Sequence, residues 1–344
     1  MRVAMWYNNR DVRLEEMPIP QIGPGELLMR VEASGLCGSD GMEWYRIHKA
    51  PLVLGHEVAG VVVAVGEEVE RFREGGRVTV AHHVPCNTCH YCLSGHHSVC
   101  ETLRSTNLDP GGLSEYVRVP AINVDRGVFL LPDEVTFEEG TFTEPLACVL
   151  RGQRLARLRP GQSVLVVGSG ITGLLHIAAA RTLGAGRIVA TDILGYRLEM
   201  AQGLGADAAI HAEEDVPACL RRVNDGRLAD LVVICTEAGP AIAQALQSVE
   251  RGGTVLFFAA AEPDATIPLT INELFWRTEI TLTSSYAGPP ADSLAALELI
   301  RARRVPVRQM ITHRLSLAET GLGFRLLTHP QEESPIKIII EPHR

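Results

Sequence analysis

The sequence predicts a two-domain protein of the α/β class, in which a doubly wound parallel sheet is inserted in a β-rich domain. Residues 1–140 contain short apolar runs separated by Gly and Pro, and they show no long helical period. From residue 163 onward, apolar runs alternate with helical segments. The apolar tail at 336–340 predicts a further strand. The second region already has its six predicted strands, so we expect this one to complete the first domain.

In the first region, the opening residues predict a pair of strands, and substantial loops follow. A helix is expected over residues 144–158, with Arg151, Arg154 and Arg157 on an exposed face. The helix should end at the Pro-Gly pair that follows. The further strands are expected at the apolar runs 27–31, 58–65, 77–80 and 116–119.

The second region has the pattern of a parallel sheet covered by helices on both faces. Strands buried on both faces appear as continuous apolar runs rather than as alternating ones. One further amphipathic helix is predicted over 291–303. The predicted strands are at 164–167, 187–191, 208–210, 231–235, 254–259 and 280–283.

A glycine-rich turn, Gly-Ser-Gly-Ile-Thr-Gly at 168–173, joins the first of these strands to its helix. Gly168 allows a tight turn, Gly170 lets a pyrophosphate approach the backbone N–H groups at the helix start, and Gly173 lets helix and strand pack closely. Asp192 ends the next strand about 20 residues on, where a ribose partner is expected. Because the flanking elements are those the motif needs, we expect a dinucleotide on a Rossmann fold rather than an ordinary βαβ turn. The predicted cofactor residues are Gly168, Gly170, Ile171, Thr172, Gly173, Asp192 and Arg197.

Composition and charge exclude several classes of protein. A net charge of −9 argues against a nucleic-acid partner, because phosphate binding needs a basic surface. No apolar stretch reaches the roughly 18 residues of a membrane span. The first residues lack the apolar segment of a signal peptide, so we expect a cytoplasmic protein whose cysteines stay reduced.

A group of cysteines follows the β-rich runs, at positions 86, 89, 92 and 100. Four thiolates on one short loop can close a tetrahedron around zinc and leave no open position, which is typical of a structural site. An iron–sulfur cluster uses the same ligands and stays open as an alternative. We predict structural zinc bound by Cys86, Cys89, Cys92 and Cys100, with the histidines at 90, 96 and 97 on a solvated loop face.

Several dispersed motifs complete the pattern. They are Gly-Leu-Cys-Gly-Ser-Asp around Cys37, Gly-His-Glu-Val-Ala-Gly around His56, and Thr-Glu-Pro-Leu around Glu144. In this order, with the cysteine loop and the glycine turn, they resemble the zinc-dependent medium-chain dehydrogenase/reductase superfamily over essentially the whole chain. The resemblance implies a GroES-like catalytic domain at 1–146, a Rossmann domain at 147–288 and a return to the catalytic domain at 289–344.

The same resemblance implies a catalytic zinc bound by Cys37 and His56, with Glu57 and Glu144 as direct or water-mediated partners. Alcohol dehydrogenases proper commonly have cysteine where this chain has Glu144, whereas Glu-Pro-Leu resembles the sorbitol, threonine and glucose dehydrogenase branch. A carboxylate gives a harder site that holds water readily. Cys148, one helical turn further, is expected to be a buried helix residue.

The implied reaction is oxidation of an alcohol, in which zinc acts as a Lewis acid on the hydroxyl oxygen and a nicotinamide accepts the hydride. Ser39 matches the hydroxyl that takes the alcohol proton in the family. Where the family often has a histidine that passes the proton outward, this chain has Met42; His48 or water could substitute.

For the cofactor, Asp192 predicts NAD over NADP, because its carboxylate accepts ribose hydroxyls and repels a 2′-phosphate. Arg197 is the competing signal, since it could receive that phosphate, but its spacing favours a helix-surface position. Two zinc ions per chain and one NAD are therefore expected.

On the substrate side, Trp44, Tyr45, Tyr286 and the segment 104–107 are candidate pocket residues, with loop packing as the alternative. Sorbitol dehydrogenases resemble the chain at Tyr286 but have an arginine where it has Ser285. Losing that guanidinium removes a strong polyol contact and leaves polyols, inositols, amino alcohols and β-hydroxy acids open.

The predicted function is zinc- and NAD-dependent oxidation of a secondary alcohol to a ketone by a cytoplasmic homodimer or homotetramer. One alternative is a dehydrogenase of simple primary or secondary alcohols. Another is a zinc-free NADPH quinone or enoyl reductase, against which the metal residues and Asp192 both count. A zinc-ribbon nucleic-acid binder would need a basic surface that the sequence lacks.

Overall fold

The computed structural model describes residues 1–267 and 269–344. The chain divides into two compact units. Unit 1 comprises Met1–Ala147, Ala287–Arg303 and Val307–Arg344. Unit 2 comprises Cys148–Tyr286 and Arg304–Pro306.

Each predicted apolar run contains a strand, and the structure has further strands at Leu52–Val53, Val128–Leu130 and Ile311–Ser316. The strands are β1 Arg2–Asn8, β2 Asp11–Glu16, β3 Leu27–Gly35, β4 Leu52–Val53, β5 Glu57–Val65, β6 Arg77–Ala81, β7 Tyr116–Val119, β8 Val128–Leu130, β9 Val164–Val167, β10 Ile188–Asp192, β11 Ala208–His211, β12 Ala229–Ile234, β13 Val249–Phe257, β14 Thr281–Ser284, β15 Ile311–Ser316 and β16 Lys337–Glu341. The α-helices are α1 Glu43–Arg46, α2 His90–Leu93, α3 Glu101–Ser105, α4 Ala121–Arg126, α5 Phe137–Gly140, α6 Thr143–Leu155, α7 Ile171–Thr182, α8 Gly195–Gly203, α9 Val216–Val223, α10 Gly239–Gln247, α11 Ile271–Leu274, α12 Pro290–Arg301 and α13 Thr320–Thr328.

Unit 1 is built on a seven-stranded sheet of order β15-β16-β3-β5-β6-β8, with β7 paired to β3, and on a three-stranded sheet of order β2-β1-β4. β16 is parallel to β15 and antiparallel to β3. β3 alternates buried and less buried residues, so one face packs on a core that includes Leu27, Met29 and Val31. The C-terminal strand therefore lies inside the first unit's sheet.

Unit 2 contains a six-stranded parallel sheet of order β11-β10-β9-β12-β13-β14. All four residues of β9 are buried, as expected for a strand covered on both faces. The chain runs to one side from β9 through β10 and β11 and then to the other side through β12, which makes β9/β12 the topological switch point. In such sheets ligands bind beyond the carboxyl ends of the strands at this point. The predicted fold class is confirmed.

One prediction about α6 is wrong. Arg154 and Arg157 are exposed, but Arg151 is 1% exposed and lies in the core. Residue 151 is one helical turn from the buried Ala147, so both lie on the helix face that packs inward.

Among the described residues, no helix combines the length and the apolar character needed to cross a lipid bilayer.

Candidate active site

Three side chains from two adjacent strands meet in unit 1. Cys37 follows β3 and precedes a short 3₁₀ helix, Gly38–Gly41. His56 immediately precedes β5, and Glu57 is its first residue. Antiparallel pairing places Gly35 opposite Glu57, which brings the two chain segments together. The ligand atoms of Cys37, His56 and Glu57 all lie within 4.8 Å of one another, and thiolate, imidazole and carboxylate are the donors that zinc takes.

Asp40, which the sequence did not single out, supports this cluster from behind. Its side chain is fully buried, and Oδ2 accepts a hydrogen bond of 3.0 Å from the backbone N–H of Cys37. Oδ1 lies 3.4 Å from Nδ1 of His56. A carboxylate behind a histidine fixes the ring and its tautomer, so Nε2 of His56 is the nitrogen left to bind a metal.

Lys337, at the start of β16, is the second partner that the sequence did not reveal. Its ammonium group donates hydrogen bonds to Oε2 of Glu57 and to the backbone carbonyl of Leu36, the latter at 3.1 Å. Lys337 is 0% exposed and Glu57 is 1% exposed. The carboxylate of Glu57 is thus shared between the metal-ligand cluster and a buried cation.

Glu144 lies near the cluster, and the side chain of His82 is close to both Glu144 and His56. It is near the start of α6 and half-buried, and its Oε1 is 4.0 Å from Nδ1 of His82. The rings of His82 and His56 are 4.7 Å apart between centroids. In the described part of the chain, the group of donor atoms within 4.8 Å is Cys37, His56 and Glu57 and does not include Glu144.

Ser39 is held between the cluster and an arginine. Its hydroxyl donates to Sγ of Cys37 at 3.4 Å and accepts from Nη2 of Arg46 at 3.4 Å. Nε of Arg46 also donates to the backbone carbonyl of Ser39 at 3.0 Å. His48 is exposed. Besides Cys37, the predicted proton acceptor therefore contacts Arg46, the last residue of α1, which no sequence motif singles out.

His82 and His83 form an uncharged wall beside the cluster. Burial, followed by the nearby His83, His56 and Arg46, lowers the pKa of His82 well below its usual value. Burial lowers the pKa of His83 to about 4. Nδ1 of His83 donates to the backbone carbonyl of Thr106 at 2.7 Å, which ties the predicted segment 104–107 to this wall. Both imidazoles are neutral near pH 7.

The four-cysteine loop has the dimensions of a zinc site. Sγ of Cys86 is 3.6 Å from Sγ of Cys100 and 4.0 Å from Sγ of Cys92. A tetrahedron with zinc–sulfur bonds of about 2.3 Å requires sulfurs about 3.8 Å apart. Hydrogen bonds from Thr88, then from the backbone N–H of Cys89, lower the pKa of the Cys86 thiol to about 5, which favours the thiolate that zinc binds. The set is Cys86, Cys89, Cys92 and Cys100.

The glycine turn lies between β9 and α7 in unit 2. Gly168 has a φ of +91°, a left-handed conformation that favours glycine. A side chain at Gly173 would collide with the carbonyl oxygen of Gly168. A Cβ at Gly170, the N-cap of α7, would meet no neighbouring heavy atom nearer than Nη1 of Arg197 at 3.8 Å, and the cap has no side-chain hydrogen bond. The N–H groups at the start of the helix, on Ile171 and Thr172, are thus suited to a pyrophosphate.

Asp192 ends β10, and its side chain spans the turn. Oδ2 accepts from the backbone N–H of Ser169 at 2.8 Å, and Oδ1 accepts from that of Leu194 at 3.0 Å. Arg197 departs from the helix-surface position expected for it. Its side chain is 21% exposed, and Nη1 lies 3.7 Å from Oδ2 of Asp192. The arginine folds back because the carboxylate attracts it.

The aromatic candidates are more exposed than a closed pocket requires. Tyr45 and Tyr286 are exposed, and Trp44 is half-buried with its ring 5.8 Å from that of Tyr45. Cys148, expected to be buried, is half-buried on α6. In the cysteine loop, His90 and His96 are exposed and His97 is half-buried.

Comparison with known proteins gives the class of this fold and site. Residues 23–133 match the alcohol dehydrogenase GroES-like domain, and residues 172–302 match the zinc-binding dehydrogenase domain. A sorbitol dehydrogenase from Gallus gallus is 32% identical over 94% of this chain and 96% of its own length. The crystal structure of 2R,3R-butanediol dehydrogenase from Bacillus subtilis has a TM-score of 0.86 at 28% identity, covering 99% of each chain. A Sinorhizobium meliloti protein solved bound to NADP has a TM-score of 0.88 at 27% identity, again over 99% of each chain.

The fold and the site thus define a zinc-dependent dehydrogenase that uses a nicotinamide cofactor. More narrowly, the chain belongs to the sorbitol dehydrogenase-like branch of the zinc-dependent medium-chain dehydrogenase/reductase family. The resemblance predicted from the motifs is confirmed.

Proposed function

We propose that this enzyme reversibly oxidises the secondary hydroxyl of a polyol or diol to a ketone, with NAD as hydride acceptor. The observation that carries the proposal is the cluster of Cys37, His56 and Glu57, near a small pocket in unit 1 that His82 and Glu144 line. Relatives named sorbitol dehydrogenase and butanediol dehydrogenase support the choice of substrate class. A zinc-free reductase does not require three metal-binding side chains at this position.

The donor set fits zinc, which would supply Lewis-acid polarisation of the substrate oxygen, while the nicotinamide would take the hydride. Asp40 orients His56, and Lys337 compensates the charge of Glu57. Ser39 would take the proton from the substrate hydroxyl while releasing its own hydroxyl proton to water, so the serine stays neutral. Arg46 donates a hydrogen bond to the Ser39 hydroxyl and holds its oxygen in position for this transfer.

A coupled panel tests the proposed function. The purified protein is assayed by NADH absorbance with 2,3-butanediol, sorbitol, inositols, β-hydroxy amino acids and simple alcohols, and its zinc content is measured in parallel. We expect about two zinc ions per chain from the two ligand sets and turnover of at least one vicinal diol or polyol. One zinc per chain, or activity confined to quinones or enoyl substrates with NADPH, would reject the proposal.

The preference for NAD is proposed from Asp192, whose carboxylate would accept hydrogen bonds from the ribose hydroxyls. We expect Asp192→Ala to lower the ratio of kcat/KM for NAD to that for NADP by about 100-fold, because the repulsion is lost and Arg197 becomes available to a 2′-phosphate. Initial rates with both cofactors at several concentrations measure this ratio.

The matched control is Glu199→Ala, which removes an exposed carboxylate from the same helix as Arg197. Its cofactor ratio should equal that of the wild type. If Asp192→Ala keeps the wild-type ratio of kcat/KM for NAD to that for NADP, and its melting temperature is unchanged, Asp192 does not determine the cofactor preference.

We further propose a cytoplasmic homodimer that associates through the edge of the unit 2 sheet. β14 pairs with β13 and ends the sheet in the described part of the chain. In the segment that precedes β14 in the chain, Ile271 is 65% exposed and Trp276 is 68% exposed. An open strand edge next to large apolar side chains is a surface that a second copy would cover.

Trp276→Glu is expected to shift the protein from dimer to monomer at micromolar concentration, because a charge would be buried at the interface. Light scattering coupled to gel filtration measures the mass. Leu130→Glu, at a residue 60% exposed on β8, is the control and should leave the mass unchanged. A Trp276→Glu variant with the wild-type mass would contradict the proposed interface.

A further inference from the structure

The side chain of His82 has a polar atom that the structure leaves without a partner. His82 follows β6, and its side chain is 12% exposed. Its ring lies between those of His56 and His83, at centroid distances of 4.7 Å and 3.8 Å. Nδ1 is buried and makes no hydrogen bond. Because unpaired buried polar atoms are costly, such an atom beside a catalytic cluster indicates a missing partner.

The position of this nitrogen suggests what the partner is. His82 lines the small pocket in unit 1 together with Glu144, Ala147, Gly288 and Ser293. Nδ1 of His82 is 4.0 Å from Oε1 of Glu144, which is too long for a direct hydrogen bond. A hydroxyl oxygen placed about 2.8 Å from each atom would bridge them.

The donors and acceptors determine which chemical group fits. An ionised carboxylate only accepts hydrogen bonds, so the bridging group must donate to Glu144. The same group can then accept from Nδ1–H of a neutral His82. A hydroxyl does both, whereas an alkyl group does neither. The His82 ring is also 4.7 Å from that of His56, so a hydroxyl bound at His82 would lie next to the predicted zinc ligands.

We propose that His82 is a substrate-binding residue that, with Glu144, holds the hydroxyl on the carbon adjacent to the reacting one. The enzyme thereby selects vicinal diols over monohydric alcohols. This inference rests on the proposed function, because it concerns a second contact to the substrate of the same reaction. A site built around a hydroxyl discriminates against the analogue that lacks it, since its buried polar groups are then left unpaired.

The test compares 2,3-butanediol with 2-butanol, two secondary alcohols that differ by the neighbouring hydroxyl. For His82→Leu we expect the ratio of kcat/KM for the diol to that for 2-butanol to fall by about 10-fold or more. His82→Asn, whose amide nitrogen can replace Nδ1–H, should retain most of the wild-type ratio. His343→Leu, at an exposed histidine, is the matched control.

A second readout does not depend on turnover. Binding of 2,3-butanediol to the zinc-loaded protein in the presence of NADH is followed by the fluorescence of NADH, and His82→Leu should weaken it by a similar factor. Zinc content should stay at the wild-type value. Loss of one zinc from His82→Leu would mean that His82 supports the metal rather than the substrate, and would overturn the inference.

The remaining outcomes separate the two proposals. If the wild type turns over none of the diols and polyols in the panel, the proposed function fails first. If the wild type oxidises both 2,3-butanediol and 2-butanol, and His82→Leu leaves the ratio within about twofold of the wild-type value, the inference on His82 fails while the function stands.

Discussion

Cys37→Ala is expected to lower kcat by more than about 100-fold and to reduce the zinc content from about two ions per chain to about one. Mutation of a residue that only hydrogen-bonds to a metal ligand typically lowers metal affinity or activity 10- to 100-fold. Loss of the ligand itself should therefore have a larger effect. Folding should stay near normal, because Cys37 is half-buried at the end of a strand and its thiol fills little core volume.

Steady-state kinetics, zinc analysis and thermal unfolding of the same preparation check this expectation. Cys148→Ala, which removes a half-buried thiol on α6, is the matched control and should keep both zinc ions. Cys89→Ala should lose the other zinc and lower the melting temperature instead, since the loop depends on its four sulfurs. Full activity in Cys37→Ala would reject the assignment of this residue to the catalytic site.

The second large effect concerns stability. Lys337→Met is expected to lower the free energy of unfolding by about 3–5 kcal/mol, the cost of leaving a buried charge without its partner. Lys337 and Glu57 are both almost completely buried, so water cannot replace the lost ammonium group. Denaturant unfolding of the zinc-free and zinc-loaded protein measures the loss, and zinc should reduce it by neutralising Glu57.

The double variant Glu57→Gln with Lys337→Met provides the control. Removing both charges should recover most of the stability that Lys337→Met loses, because no uncompensated charge remains. A loss below about 1 kcal/mol in the single variant, or no recovery in the double one, would show that the two groups are not coupled as an ion pair.

Much of this structure follows from short stretches of sequence. The glycine turn at 168–173 and the cysteine loop at 86–100 are local, so spacing alone predicts their geometry. The positions of the strands in unit 2 can also be predicted from the sequence, because burial on both faces produces continuous apolar runs. Burial is harder to predict from one residue, and Arg151 was placed on the wrong face because a charged side chain is usually exposed.

Contacts between distant positions had no such signal. Lys337 and Glu57 are 280 positions apart, and nothing in either local pattern indicates the pairing. Arg46 contacts Ser39 across two short helical turns, Gly38–Gly41 and α1, whose local sequence does not indicate the contact. The pair of histidines just after β6 did offer a clue, because two consecutive imidazoles between an apolar run and a cysteine ligand are unusual. Its meaning became clear only when the fold placed them beside His56.

The position of β16 between β15 and β3 also affects the order in which the sheet of unit 1 can form during synthesis. Leu36 and Lys337, which touch in the finished fold, are made 301 positions apart. All six strands of the unit 2 sheet lie between residues 164 and 284. They are therefore translated before β16, the strand that pairs with β3 in unit 1. In a growing chain all strands of the unit 2 sheet are therefore present before β16 is made, and the carboxylate of Glu57 meets its cation only after residue 337 has been translated.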